Sequence, residues 1–294
     1  MDVLVALLVP AVLVGLLVAL AASRWPRPVV APSLPAAELG HVAAAPGPVG
    51  RLVRRRLDPS RLTGLALTVG LGVLGLGMLG VGLLLRMVDS DTGFARWDLS
   101  FAQFGADHAS GWTTDTLRQV SRLGGYEVVI VLGLLVAAVE VWRLRRASAV
   151  LFLVVVIGGQ FVVAETVKHI VDRTRPDLLN LTGFSGSSFP SGHATAAAAT
   201  FMAFALLLGR GRSPATRAAL AGVAAGVAVG VASTRVLLGV HWFTDVLAGL
   251  LLGWAWFALC SIAFGGAILR FGAPVAQAEA AADVAETSGV SSGA

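Results

Sequence analysis

Three short polar segments interrupt an otherwise apolar chain, and between them they hold the residue types that phosphate chemistry needs. Lys168 is followed by Arg175-Pro176, Pro190-Ser191-Gly192-His193 makes a second group, and Arg235, His241 and Asp245 make a third. They supply three cations, two histidines and one carboxylate. Cations beside a glycine-flanked turn can hold a phosphoryl group, and a histidine backed by a carboxylate can attack it.

Each residue has a functional and a structural reading. His241 and Asp245 are four apart, which puts them on one face of a helix. The aspartate can accept the Nδ1 proton and leave Nε2 bare, as a nucleophile requires. The same pair also suits a hydrogen-bonded helix start. Ser191 stands where an apolar helix begins and can cap it, while Gly192 lets the backbone approach a ligand. The N–H groups of a first helical turn attract an anion, and His193 beside them could protonate a leaving oxygen. An ordinary cap with an interfacial histidine uses the same residues. Lys168, Arg175 and Arg235 either bind phosphoryl oxygens or snorkel to lipid headgroups. Arg235 stands out, because no other charge follows it until Asp245. Glu165 and Asp172 flank Lys168 at about one turn, and structural pairing with Lys168 or Arg173 is expected of them. His169 adjoins Lys168 but lies outside these groups.

The elements that position these residues are membrane spans. The chain has 294 residues, of which 56% are hydrophobic and 13% charged, against about 25% charged in a typical soluble domain. Apolar runs at 3–22, 63–85, 125–142, 148–167, 192–209, 217–234 and 245–269 are long enough to cross a bilayer. They do not alternate with polar residues, which excludes a β-barrel. The expected class is an all-α polytopic membrane protein. The net charge of +5 comes largely from arginine clusters beside spans. These read as topology signals and phospholipid contacts, with no nucleic-acid partner. Cys260 is the only cysteine, so no intrachain disulfide forms.

Residues 1–22 read as a retained N-terminal transmembrane helix, because no basic region precedes the apolar run and Arg24 and Arg27 follow it. A cleaved signal is the alternative, given the small residues at 19–22. Residues 23–62 read as a cytoplasmic linker and 270–294 as a disordered cytoplasmic tail. Arg54, Arg55 and Arg56, then Arg143, Arg145 and Arg146, then Arg210, Arg212 and Arg217 mark three cytoplasmic connections. The intervening stretches 86–124, 168–191 and 235–244 then fall outside, so all three polar segments share one side. Gly222, Gly226 and Gly230 form a small-residue face suited to close helix packing, and the glycines between 64 and 82 offer another. Trp97, Trp112 and His108 belong to the 86–124 stretch, expected to be an interfacial belt or a lid.

The order Lys-x6-Arg-Pro, Pro-Ser-Gly-His, Arg-x5-His-x3-Asp resembles the signature of the phosphatidic acid phosphatase type 2 superfamily. Membrane lipid phosphatases and polyprenyl pyrophosphate phosphatases belong to it. The resemblance covers a six-helix phosphatase core, about 63–269, to which residues 1–22 add a helix. It departs at Thr234, where the superfamily usually has serine before the arginine. It implies that His241 forms a phosphohistidine, that Asp245 orients His241, and that His193 is the acid and then the base. Lys168, Arg175, Ser191, Gly192 and Arg235 would bind the phosphoryl oxygens. The implied substrate is a lipid phosphate or lipid pyrophosphate in the bilayer: phosphatidic acid, phosphatidylglycerol phosphate or polyprenyl pyrophosphate. The implied place is the plasma membrane, with the site facing outward. No Asp, Glu or Cys group has metal-ligand spacing, so neither metal nor cofactor is expected. A phosphotransferase would use the same residues. A non-catalytic transporter would spread charges through the membrane depth.

Overall fold

The apolar runs are helices in a computed structural model of the chain, which describes residues 3–24, 62–144, 147–177 and 186–264. A bilayer leaves a spanning backbone no water to bond, so continuous apolar sequence must satisfy its amides along a helix. The helices are α1 (Val3–Arg24), α2 (Leu62–Asp89), α3 (Asp98–Asp107), α4 (Gly111–Arg122), α5 (Tyr126–Leu144), α6 (Ala147–Val171), α7 (Gly192–Leu208), α8 (Pro214–Leu237) and α9 (Phe243–Ala263). The chain divides into two units, residues 1–24 with 71–261 and residues 25–70 with 262–294. The first unit contains all three polar segments. The expected linker and tail lie almost wholly outside the described residues.

Among the described residues, five helices are long and apolar enough to span, α4 and α5 pass the same length and hydropathy test as one pair bent by 46°, and α7 is a shorter apolar helix. Leu76, Leu79, Leu134, Leu135, Val154 and Val162 expose more than half of their surface. In water that would be a liability; facing lipid it is the expected outer surface of a multi-pass membrane protein. The stretch 86–124 is not an open loop. It holds a 3₁₀ turn (Gly93–Trp97), α3 and α4, and Trp97 packs edge-on to Phe94 and Phe101.

Where α7, α8 and α9 meet, the core is built from very small side chains. Ala194 and Ala196 to Ala199 on α7 are fully buried, as are Ala228 and Val231 on α8 and Ala248 on α9. With no bulk between them, these helices meet backbone to backbone. A Cβ on Gly249 would lie 2.6 Å from the Ser191 carbonyl oxygen, and one on Gly253 would lie 2.5 Å from that of Thr195. This closeness sets the start of α7 directly against the start of α9. The glycine face of α8 meets α1, where a Cβ on Gly222 would lie 2.6 Å from the Gly15 carbonyl oxygen. Of the α2 glycines, Gly77 and Gly80 meet α9, since a Cβ on Gly77 would overlap that of Ala255 and one on Gly80 would lie 3.3 Å from Leu251, while Gly72, Gly75 and Gly82 have nothing within 4 Å.

Candidate active site

All three polar segments sit at one end of the helices that carry them: the C-terminal ends of α6 and α8 and the N-terminal ends of α7 and α9. Backbone hydrogen bonds lock them together. The Ser191 amide donates to the Asp245 carbonyl at 3.0 Å, which joins the second segment to the third. Within the third, α8 ends in a tight turn at Gly239, whose φ of 64° suits glycine. The chain folds back, and the Val240 and His241 amides both donate to the Arg235 carbonyl, at 3.2 and 3.1 Å. The spacing Arg-x5-His is therefore the length of one helix-terminating turn.

His241 is buried, with its two ring nitrogens facing different partners. Nε2 lies 3.3 Å from the Arg175 Nη1. A guanidinium only donates, so Nε2 is the acceptor and carries no proton. Nδ1 then holds the proton and points to the Asp245 carboxylate, 3.5 Å away. That is an electrostatic contact just beyond a closed hydrogen bond, and Nδ1 has no other partner. Burial pushes the His241 imidazole down to about 4; Asp245 opposes this, while Arg235 and Arg175 reinforce it. His241 is thus a neutral imidazole at physiological pH, with a bare Nε2 facing a cation.

The cations are held by surrounding polar groups. Arg175 donates to the carbonyls of Val240 (2.8 Å), Gly186 (3.0 Å) and Ser187 (3.2 Å). Burial lowers its affinity for its proton, and Asp245 partly restores it. Arg235, 3% exposed, donates to the Ser121 hydroxyl at 2.7 Å. Lys168 pairs with Glu165 at 2.6 Å, one of the pairings expected from the sequence. Its Nζ lies 3.4 Å from where a Gly192 Cβ would stand, which brings the lysine against the start of α7. The positive charges of Arg235, Lys168 and Arg175 all act on His193. Ser191 occupies the cap position of α7 but makes no capping bond. Its hydroxyl is fully buried without a partner. Thr234 donates back to the Val231 carbonyl at 2.6 Å, within its own helix. Every site residue expected from the sequence thus lies in this one cluster of helix ends. Among the described residues, no three His, Cys, Asp or Glu side chains converge to hold a metal ion. His169 is exposed.

Two residues central to the cluster were not picked out from the sequence. Arg173, expected to pair with Glu165 or Asp172, instead donates to Asp245 Oδ1 at 2.5 Å and to Asp98 Oδ2 at 2.7 Å. Asp98, at the start of α3, also accepts from the Thr244 amide at 2.8 Å and the Thr244 hydroxyl at 2.7 Å. Asp245 Oδ2 accepts from the Trp242 amide at 2.9 Å, and Trp242 packs its ring 5.5 Å from the Arg173 guanidinium. The carboxylate behind His241 is therefore fixed through both oxygens. The sequence around Asp98 offered no signal of this role, since Arg96 two residues before it is a ready local partner. Tyr126 also reaches the cluster, its hydroxyl 3.6 Å from the Gly192 Cβ position.

Comparison with known proteins points to one family. The family model described as "PAP2 superfamily" matches residues 149–268. A phosphatidylglycerophosphatase B of Bacillus subtilis is 32% identical over 165 residues, covering 54% of this chain and 79% of that protein. A lipid A 1-phosphatase of Rhizobium etli is 40% identical over 122 residues, covering 38% of this chain and 47% of that protein. The match thus spans about half the length of that relative. The crystal structure of a transmembrane PAP2-type phosphatidylglycerolphosphate phosphatase from Bacillus subtilis superposes with a TM-score of 0.60 at 27% identity, covering 67% of this chain and 98% of that one. The chain belongs to the PAP2 superfamily.

Proposed function

We propose that the protein is a lipid phosphatase that removes a phosphate by way of a phosphohistidine. The observation that carries this reading is the pair of contacts on His241: Nε2 unprotonated against Arg175, Nδ1 against a fixed carboxylate. Nε2 attacks phosphorus, the bond to the leaving oxygen breaks, and His193 gives that oxygen a proton. Water then attacks phosphorus from the vacated side, His193 takes its proton, and the phosphorus–nitrogen bond breaks to release phosphate and neutral His241. Asp245 stabilises the cationic imidazole that forms in the first step. Arg175, Arg235 and Lys168, with the Ser191 hydroxyl and the amides of the first turn of α7, meet the charge on the phosphoryl oxygens. With this many fixed cations, the chemistry has no need of a metal.

The same reading puts the site end of the bundle on the outer face of the plasma membrane. Glu140, fully buried near the far end of α5, meets Arg143 at 3.4 Å and Arg210 at 3.5 Å, and basic connections face the cytoplasm. Lipid tails then remain in the bilayer while the phosphate enters from the interface.

The test is phosphate release in detergent from phosphatidic acid, phosphatidylglycerol phosphate and a polyprenyl pyrophosphate, with and without EDTA and vanadate. The reading expects release in EDTA, inhibition by vanadate, and no turnover with His241→Ala. Release that requires magnesium and ignores vanadate would reject it.

A further inference from the structure

The reaction direction singles out one cavity. Phosphoryl transfer runs with the attacking and leaving oxygens roughly in line, so the leaving group departs on the side of phosphorus away from His241. A cavity of about 370 Å³ has His193 and Arg235 in its wall, while His241 lies outside it. The rest of its wall comes largely from the bend between α4 and α5, including Arg118, Ser121, Arg122 and Glu127. The bend itself follows from two glycines. A Cβ on Gly124 would lie 2.7 Å from the His193 carbonyl oxygen, so the chain turns there against α7.

This wall is poorly suited to a neutral leaving group. Three guanidiniums face it, from Arg118, Arg122 and Arg235, against the single carboxylate of Glu127. Arg118 and Arg122 are four residues apart on one face of α4 and exposed. Arg118 meets Asp115 at 3.5 Å, and Arg122 donates to Gln119 at 3.0 Å, each one turn back on the same helix. The Arg118–Asp115 pair is exposed on both sides, and a surface ion pair of this kind contributes little against a phosphate, which takes two donors from one guanidinium.

We infer that Arg118 and Arg122 form a leaving-group subsite for a second phosphate, so that the preferred substrates are lipid phosphates whose leaving group itself carries a phosphate charge. This rests on the phosphatase reading above. Two sources share that chemistry: the inner phosphate of a lipid pyrophosphate, and the phosphodiester of a phosphatidylglycerol phosphate. Phosphatidic acid, which leaves as a neutral diacylglycerol, has nothing to offer the pair.

The experiment uses the full-length protein in mixed micelles and measures kcat/KM for two matched pairs. One is farnesyl pyrophosphate against farnesyl monophosphate; the other is phosphatidylglycerol phosphate against phosphatidic acid with the same acyl chains. A pyrophosphate has the better leaving group, so the decisive quantity is how the ratio changes in variants. In at least one pair, R118Q/R122Q is expected to lower the ratio about tenfold or more, the size of one charge-assisted hydrogen bond. R118K/R122K is expected to retain most of it. The affected pair identifies the source of the second charge. An unchanged ratio in both pairs, or an equal loss on both members of each, would overturn the subsite. If no substrate releases phosphate in a His241-dependent way, the phosphatase reading falls with it; if release depends on His241 but the ratios do not respond, only the subsite falls.

Discussion

The proposed attack on phosphorus needs a neutral His241, and its surroundings keep it so. Burial holds its affinity for a proton at about 4, against an ordinary 6.5. Because the folded value is the lower one, the unfolded chain takes up the proton first as pH falls. The neutral ring's contribution to stability is therefore full above about pH 6.5 and is lost as pH drops toward 4. Nitrogen NMR shifts of histidine-labelled protein, assigned by difference with H241Q, are expected to show His241 titrating near pH 4 and not near 6.5. Behind it, Asp98 and Arg173 hold Asp245 in place. Asp98→Asn brings an amide N–H toward a site built from donors, Arg173 and Thr244. The expected result is a fall in kcat of about tenfold with KM little changed, because the group that orients the nucleophile is loosened. Arg173→Ala leaves two buried carboxylates without their cation and is expected to cost about 3–5 kcal/mol of stability, read as a lower melting temperature in detergent. A melting temperature unchanged in Arg173→Ala would mean that the Asp98–Arg173–Asp245 chain does not bind these segments together.

Helices bring these side chains together through close approach of backbones, and glycine permits it. Gly249→Ala would put a Cβ 2.6 Å from the Ser191 carbonyl oxygen and 3.0 Å from Ala194. Overpacking of this kind costs about 1–3 kcal/mol, and here it also displaces Ser191. Both melting temperature and turnover are expected to fall. Gly72→Ala meets nothing within 4 Å and is expected to be neutral or stabilising by about 0.5–1 kcal/mol, since alanine suits a helix interior better. These contrasts also explain which features could be read in advance. The helices were legible because lipid demands long unbroken apolar runs. The glycine face of α8 was legible because its four-residue spacing marks one side of a helix, yet its partner α1 was not, since nothing in a small-residue stripe names what packs on it. The phosphate-binding segments were legible because their residues lie within a turn or two of one another. The tie from Asp98 to Arg173 joins residues 75 apart, and no local pattern encodes it. The stretch 86–124 was expected to be a belt or a lid. It is helical, and it supplies both Asp98 and the bend beside His193.

The whole molecule separates its charges by depth. Glu140, Arg143 and Arg210 gather at one end of the bundle, and the three polar segments at the other. On the proposed reading, positive connections lie on the cytoplasmic side and the site opens outward. With Cys260 replaced by serine, a single cysteine at Glu127 is expected to react with a membrane-impermeant maleimide on intact cells. One at Arg212 is expected to react only after permeabilisation. The reverse pattern would put the site on the cytoplasmic face.

Everything depends on phosphorus reaching His241. The most direct measurement is rapid alkaline quenching of the protein during turnover of a phosphate-labelled lipid, followed by peptide mass spectrometry. The prediction is an acid-labile, base-stable phosphate on His241, absent from His241→Ala. It is expected to accumulate in His193→Ala with a leaving group that needs no proton, such as p-nitrophenolate. Turnover without any phosphate on His241, or a phosphate carried by another residue, would contradict the mechanism.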